Sequence, residues 1–159
     1  MDFTIRRAEK KDMLHVHKLI KQLAEFEKEG DAVEITVNDL ENDGFRKNPQ
    51  FECFVAETNN QIEGIALVYF RYSTWKGKVL HLEDLIVNKA MRGTGIGTAL
   101  LDEVIKYGND IGVKRINWEV LDWNEPAITF YEKKGAHVKR DWNVVHLNEQ
   151  GIKDYISKL

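Results

Sequence analysis

The sequence predicts an α/β (α+β) fold: a mixed, mostly antiparallel central sheet with helices on both faces. Short segments of alternating polarity recur along the chain, as half-buried strands require. Apolar spacings near 3.6 residues separate them, as core-facing helices require. Two strand–helix crossovers follow mid-chain, which an all-antiparallel sandwich would not contain. The predicted order is β-α-α-β-β-β-α-β-α-β.

Asp2–Ala8 alternates around Phe3 and Ile5 and reads as a strand. Asp12 suits an N-cap or first-turn acid, and Val16, Leu19, Ile20, Leu23 and Phe26 mark one helix face, with Gly30 expected to stop it. Thr36 and Asp39 form a capping box for a short helix through Leu40 to about Phe45. Phe51–Glu57 and Ile62–Tyr72 read as a hairpin across Thr58-Asn59-Asn60. Ser73–Gly77 turns the chain into the central strand, Lys78–Val87. A helix follows from Thr98 to Ile111, ended near Gly112. Val113–Leu121 alternates as a strand, and Asn124–Lys134 reads as a helix with Pro126 in its first turn. Val138–Leu147 reads as one or two further strands before a short terminal helix around Ile152, Tyr155 and Ile156.

The 159 residues suit one domain spanning 1–159, and a hydrophobic fraction of 43% is enough for a sizeable core. A net charge of −3 leaves no basic footprint for nucleic acid. No apolar run approaches bilayer length, and the N-terminus lacks the apolar region of a signal peptide, so no membrane partner is expected. The single cysteine, Cys53, excludes an internal disulfide and points to a reducing cytoplasm. It alternates with Phe51 and Val55 and reads as a core thiol, and no histidine shows metal-ligand spacing.

The most informative stretch is His81–Leu100, an apolar strand running through Arg92-Gly93-Thr94-Gly95-Ile96-Gly97 into an amphipathic helix. Glycines permit positive φ and close approach of a ligand. The first N–H groups of the next helix lack internal partners and favour negative charge. Together with Arg92 this reads as a phosphate cradle, against the alternative of a glycine-rich turn with no ligand. No Lys-Ser/Thr pair follows, as a P-loop would need, and Thr98 stands where the dinucleotide fingerprint has its last glycine. In the central strand, Glu83-Asp84 interrupts an apolar run. A regular strand would bury one of these acids, which is costly unless it meets a cation or a solvated strand end. His81 precedes Glu83 on the same strand face and could support it. Asn124 and Tyr131 lie seven apart, close to two helical turns, so they share a helix face.

Arg92–Gly97 resembles the pyrophosphate loop of the GNAT-type N-acetyltransferases, and Asn124…Tyr131…Gly135-Ala136 resembles the other half of their cofactor site. The likeness extends over LIKQLAEFEK (19–28), YSTWKGK (72–78), LEDLIV (82–87), VLDWNEP (120–126) and FYEKKGA (130–136). It narrows to the diamine, spermidine/spermine and thialysine N-acetyltransferases. The resemblance implies the GNAT fold, acetyl-CoA as cofactor, a small-molecule primary amine as second substrate and a homodimer. It implies a cradle of Arg92, Gly93, Thr94, Gly95, Ile96, Gly97 and Thr98, with Leu85, Ile86, Val87, Asn124, Ala127 and Tyr131 along the acetyl-pantetheine arm. It implies Glu83 as the base for the amine and Tyr131 as the acid for the leaving thiolate, chemistry both side chains suit. It implies an amine pocket of Phe26, Glu27, Glu83, Asp84, Trp118 and Trp142. Arg140 stands where the spermidine branch carries an acid, which disfavours a long polyamine. Two other readings use the same residues: an acetyltransferase acting on peptides or proteins, and a module that binds acyl-CoA without turnover.

Overall fold

The structure is a computed structural model, and it describes residues 2–159 in two compact units that divide between Glu119 and Val120. The first unit carries a five-stranded sheet in the order β1 (Thr4–Arg7), β2 (Glu52–Thr58), β3 (Gln61–Ser73), β4 (Gly77–Val87) and β5 (Ile116–Asn117). Neighbours are antiparallel from β1 to β4, and β5 joins β4 in parallel. The mixed, mostly antiparallel sheet is therefore as the sequence predicts.

Alternation along the strands loads both sheet faces. Cys53, Val55, Ile65, Leu67 and Ile86 pack with Met13, Val16 and Leu19 of α1 (Met13–Phe26) and Leu40 of α2 (Val37–Gly44). Ile96, Leu100, Leu101 and Val104 of α3 (Ile96–Ile111) are buried, and α3 lies on β2, β3 and β4. The fit on that side is close: a Cβ on Gly64 would stand 2.8 Å from Ile96 Cγ2 and 3.0 Å from Leu100 Cδ1, so only glycine is accommodated there. Cys53 is buried as expected of a core thiol, and burial pushes its pKa up, away from reactivity.

The predicted capping box of α2 forms as drawn: Asp39 N–H donates to Thr36 Oγ1, and Thr36 N–H donates to Asp39 Oδ2. The end of α1 differs from expectation. Lys28, not Gly30, turns the chain, with φ 63°; its N–H donates to Glu25 O and that of Glu29 to Ala24 O. This double closure satisfies the last carbonyls two residues early, leaving Glu27 as the last residue before the turn.

Two predicted strands shrink or vanish. The Val113–Leu121 segment forms only β5, Ile116–Asn117, paired to Leu80 and His81. Among the described residues no strand forms over 138–147, where Val144 and Val145 are 60% and 90% exposed. A strand needs a partner for its backbone groups, and alternation alone does not supply one. The second unit instead holds α4 (Glu125–Lys133) and α5 (Glu149–Ile156), the latter being the predicted terminal helix.

Asp12 fixes the start of α1 against β1. Its carboxylate accepts from Arg6 at 2.7 and 3.2 Å and from Glu9 N–H at 2.7 Å, and Arg6 also donates to Glu57 at 2.6 Å. Burial alone would raise the Asp12 pKa, but Arg6 and the Glu9 N–H hold it below the usual carboxylate value. A depressed folded pKa contributes stability that is complete above the unfolded value and is lost as pH falls through the folded one. Asp12→Ala should therefore cost about 3 kcal/mol at neutral pH. In urea denaturation the gap to wild type should narrow as the solution is acidified; a gap that stays constant with pH would contradict this role.

Candidate active site

The centre of the first unit is an irregularity in β4. The β3–β4 ladder runs from Ser73↔Gly77 to Val68↔Leu82 and resumes at Leu67↔Asp84, so Glu83 is an inserted residue with no partner on β3. Such a bulge bends and twists the strand and frees both neighbours from strict alternation. It resolves the problem of two adjacent acids in an apolar strand: the Glu83 side chain is 52% exposed and Asp84 is partly buried. The parallel pairing with β5 stops at His81↔Asn117, just before the bulge. Among the described residues no strand pairs with β4 beyond that point on the β5 side, along the stretch that includes Leu85, Ile86 and Val87.

Three carboxylates gather here. Burial, then the charges of Glu83 and Glu27, pushes Asp84 up to about 6. Burial, then Glu29, raises Glu27 at the end of α1. Glu83 moves the other way, held below its ordinary value first by a hydrogen bond from His81. The buried His81 places Nε2 3.3 Å from Glu83 Oε2, while its Nδ1 lies 3.2 Å from Arg71 Nη1 and 2.6 Å from Asn117 Nδ2. Sequence reading found His81 but not Arg71 or Asn117. The only available signal was a histidine two residues before an acid in an apolar strand; its partners are set by sheet register.

The glycine-rich bend follows β4 after one 3-10 turn, Lys89–Met91. Gly93 and Gly95 have φ of 80° and 93°, and a Cβ built on either would meet nothing within 4 Å, so the bend is open on its outer side. Gly95 is the N-cap of α3, and no side chain caps that helix start. The N–H groups of Ile96, Gly97 and Thr98 thus open towards the bend, as an anion site needs. The Ile96 side chain is buried in the core, so only its backbone is available to a ligand. Thr94 Oγ1 donates to Met91 O at 2.6 Å and pins the turn. Arg92 is exposed; its Nε donates to Val87 O at 3.4 Å, and its guanidinium stands 5.3 Å from the centre of the Phe26 ring. The fold brings Arg92 and Phe26 together, which spacing alone did not foretell. Trp118 follows β5 directly and is partly buried.

In the second unit Asn124 is the N-cap of α4, its Oδ1 accepting from Ala127 N–H at 3.4 Å. Its side chain therefore has a structural partner on the very residue expected to share its cofactor role. Tyr131 is partly buried, with its ring 5.4 Å from that of Phe130. Trp142 is 65% exposed, with Lys139 Nζ 5.5 Å from its ring centre. Arg140 lies 3.4 Å from Glu125 Oε1. A substrate carboxylate at Arg140 would have to displace that contact. Elsewhere, a cavity of about 290 Å³ between Pro49, Phe51, Tyr69 and Leu80 contains none of the expected site residues. No metal-binding cluster of His, Cys, Asp or Glu occurs among the described residues.

The model of the acetyltransferase (GNAT) family matches residues 15–136. The chain belongs to this family and is an N-acetyltransferase of the acyltransferase class. Thialysine N-epsilon-acetyltransferase of Bos taurus is 39% identical over 140 residues, which is 83% of this chain and 82% of that protein. Spermidine/spermine N(1)-acetyltransferase-like protein 1 of Homo sapiens is 36% identical over 162 residues, covering 96% of this chain; the match spans only 23% of that longer protein. Among solved structures, an integron cassette protein from the mobile metagenome of V. cholerae superposes with a TM-score of 0.79 at 22% identity, over 98% of each chain, and so shares the fold. GNAT acetyltransferases take their acetyl group from acetyl-CoA, and the uncapped start of α3 beside Arg92 suits its diphosphate.

Replacing Gly95 by Val puts a branched side chain into a left-handed conformation and into the mouth of the bend, at a cost of about 1–3 kcal/mol in strain alone. Gly95→Val should abolish coenzyme A binding in calorimetry while the protein still unfolds cooperatively; tight binding by a folded variant would place the diphosphate elsewhere.

Proposed function

We propose that this chain transfers the acetyl group of acetyl-CoA to the primary amine of a small molecule, by direct attack in a ternary complex. The observation that carries the reading is the pairing of an open phosphate cradle with a bulged strand that presents Glu83 and Asp84. Residues Arg92–Thr98 would hold the diphosphate. Leu85, Ile86 and Val87, on the β4 edge beyond β5, would align the pantetheine arm. The family resemblance adds Asn124 and Ala127 to that role, and their mutual capping bond keeps α4's first turn in shape. Bound there, acetyl-CoA supplies a thioester whose C–S bond breaks as the C–N bond to the amine forms.

The chain's own residues do the rest. A primary ammonium is unreactive until it loses a proton. Glu83 stays ionised well into the acid range, so it attracts the ammonium and receives that proton directly or through water. Tyr131 donates a proton to the departing thiolate. Phe26, Glu27, Asp84 and Trp118 would offer acids and aromatics to an amine on an apolar tether, and the family resemblance adds Trp142. Asp84 acquires its charge only as pH rises through about 6, so amine affinity improves over that interval. The relatives named for thialysine and spermidine/spermine support this substrate class. The whole of 1–159 acts as one N-acetyltransferase domain, in the cytoplasm and as a homodimer. The apolar side chains of Ile152, Tyr155 and Ile156, 51%, 62% and 62% exposed on α5, support a self-association surface.

The test is thiol release from acetyl-CoA with thialysine, lysine, short diamines and spermidine in turn. Turnover with at least one free amine is expected; turnover with none of them, beside activity on peptides, would overturn the reading. In the active pair, Glu83→Gln should lower turnover roughly 100-fold or more and move activity to higher pH, because the amine must then arrive already neutral. Tyr131→Phe should lower turnover while coenzyme A affinity holds; an unmoved pH profile in the first variant, or unchanged turnover in the second, would remove that residue from its role.

A further inference from the structure

The geometry points to His81 as a positioning residue that works as a fixed hydrogen-bond donor behind Glu83, locked in the Nε2–H tautomer by Arg71 and Asn117. This inference rests on the reading of Glu83 as the residue that meets the amine.

The argument starts from what Arg71 can do. A guanidinium has only donors, so the His81 nitrogen it faces must present a lone pair. That nitrogen is Nδ1, 3.2 Å from Arg71 Nη1. Asn117 Nδ2, 2.6 Å from the same atom, is a donor as well, and it reaches Nδ1 because Asn117 pairs with His81 in the parallel β4–β5 register. Two donors on Nδ1 leave the ring proton on Nε2, which stands 3.3 Å from Glu83 Oε2. Tyr69, opposite His81 across the β3–β4 ladder, packs its ring against the imidazole, with centroids 5.0 Å apart and planes tilted by 55°. The imidazole is buried and cannot swing out, whereas the Glu83 side chain is 52% exposed and would wander without a tether.

The consequence is a division of labour within one carboxylate. Oε2 is engaged by Nε2–H, and Oε1 is left to face the amine. His81 cannot itself take the amine's proton, since Nε2 already carries one and Nδ1 faces a cation. Glu83 is thus the end of the proton's path rather than one stop on a relay through the histidine. The charged and titratable groups around the pair are Arg71 and Tyr69 from β3, Asp84 from β4, Glu27 from α1 and Glu119 beyond β5. Of these, Arg71 alone touches the imidazole by a hydrogen bond.

The direct test needs no variant and no substrate. Nitrogen-15 NMR of the histidine-labelled protein at neutral pH should show His81 as the Nε2–H tautomer with a bare Nδ1. An Nδ1–H tautomer or an imidazolium would overturn the inference even if amine acetylation is confirmed, and a failed acetylation screen would leave the tautomer result standing on its own. The kinetic test compares His81→Gln, whose amide can still donate, with His81→Phe, which cannot. His81→Phe should lower kcat/KM for the amine roughly ten-fold and shift the acid limb of its pH profile upward, with coenzyme A affinity unchanged. His81→Gln should recover most of both. Equal loss in the two variants, or an acid limb that does not move in His81→Phe, would reduce His81 to a packing residue.

Discussion

The structure depends on one broken ladder. At Glu83 the β3–β4 pairing takes in an extra residue, and at the same level the pairing of β4 with β5 ends. A regular strand in this position would turn one of the two carboxylates into the apolar core, at a high cost in lost hydration. The bulge lets one acid reach outward and the other sit half-buried beside it. Beyond the bulge β4 keeps its pairing with β3 but has no partner on the β5 side, where only Leu80 and His81 are paired. Backbone irregularity, acidity and a one-sided strand edge therefore coincide.

The cradle is placed by the same strand. One 3-10 turn, Lys89–Met91, joins the end of β4 at Val87 to Arg92–Gly97, and the start of α3 is fixed by its packing through Ile96 and Leu100. Arg92 ties the two sides together, bonding to the carbonyl of Val87 and standing over Phe26.

Much of this was legible in the sequence because it was written in local terms. Gly93 and Gly95 had to be glycines for their backbone, Thr36 and Asp39 had to cap a helix, and Cys53 fell in step with Phe51 and Val55. What was not legible depends on partners distant in sequence. The partners of His81 come from β3 and β5, and no spacing rule pairs residue 81 with residues 71 and 117. The closure of α1 at Lys28 needed a left-handed lysine, which composition argues against. The alternation over 138–147 mimicked a strand, yet alternation states only which side chains could share a face, not whether another strand is there to receive the backbone. Asn124 was read for its ligand role and is found capping α4, a use its position ahead of Pro126 also announced.

The central claim is that a diphosphate is gripped in the bend between β4 and α3 and that the acyl arm then lies along the β4 edge that faces away from β3. A crystal structure of the protein with coenzyme A tests it most directly. The account predicts phosphate oxygens within hydrogen-bond distance of the backbone N–H groups between Gly93 and Thr98, and the pantetheine running beside Leu85–Val87 with its sulfur near Glu83. Coenzyme A bound with that bend empty, or with its sulfur remote from Glu83, would contradict it.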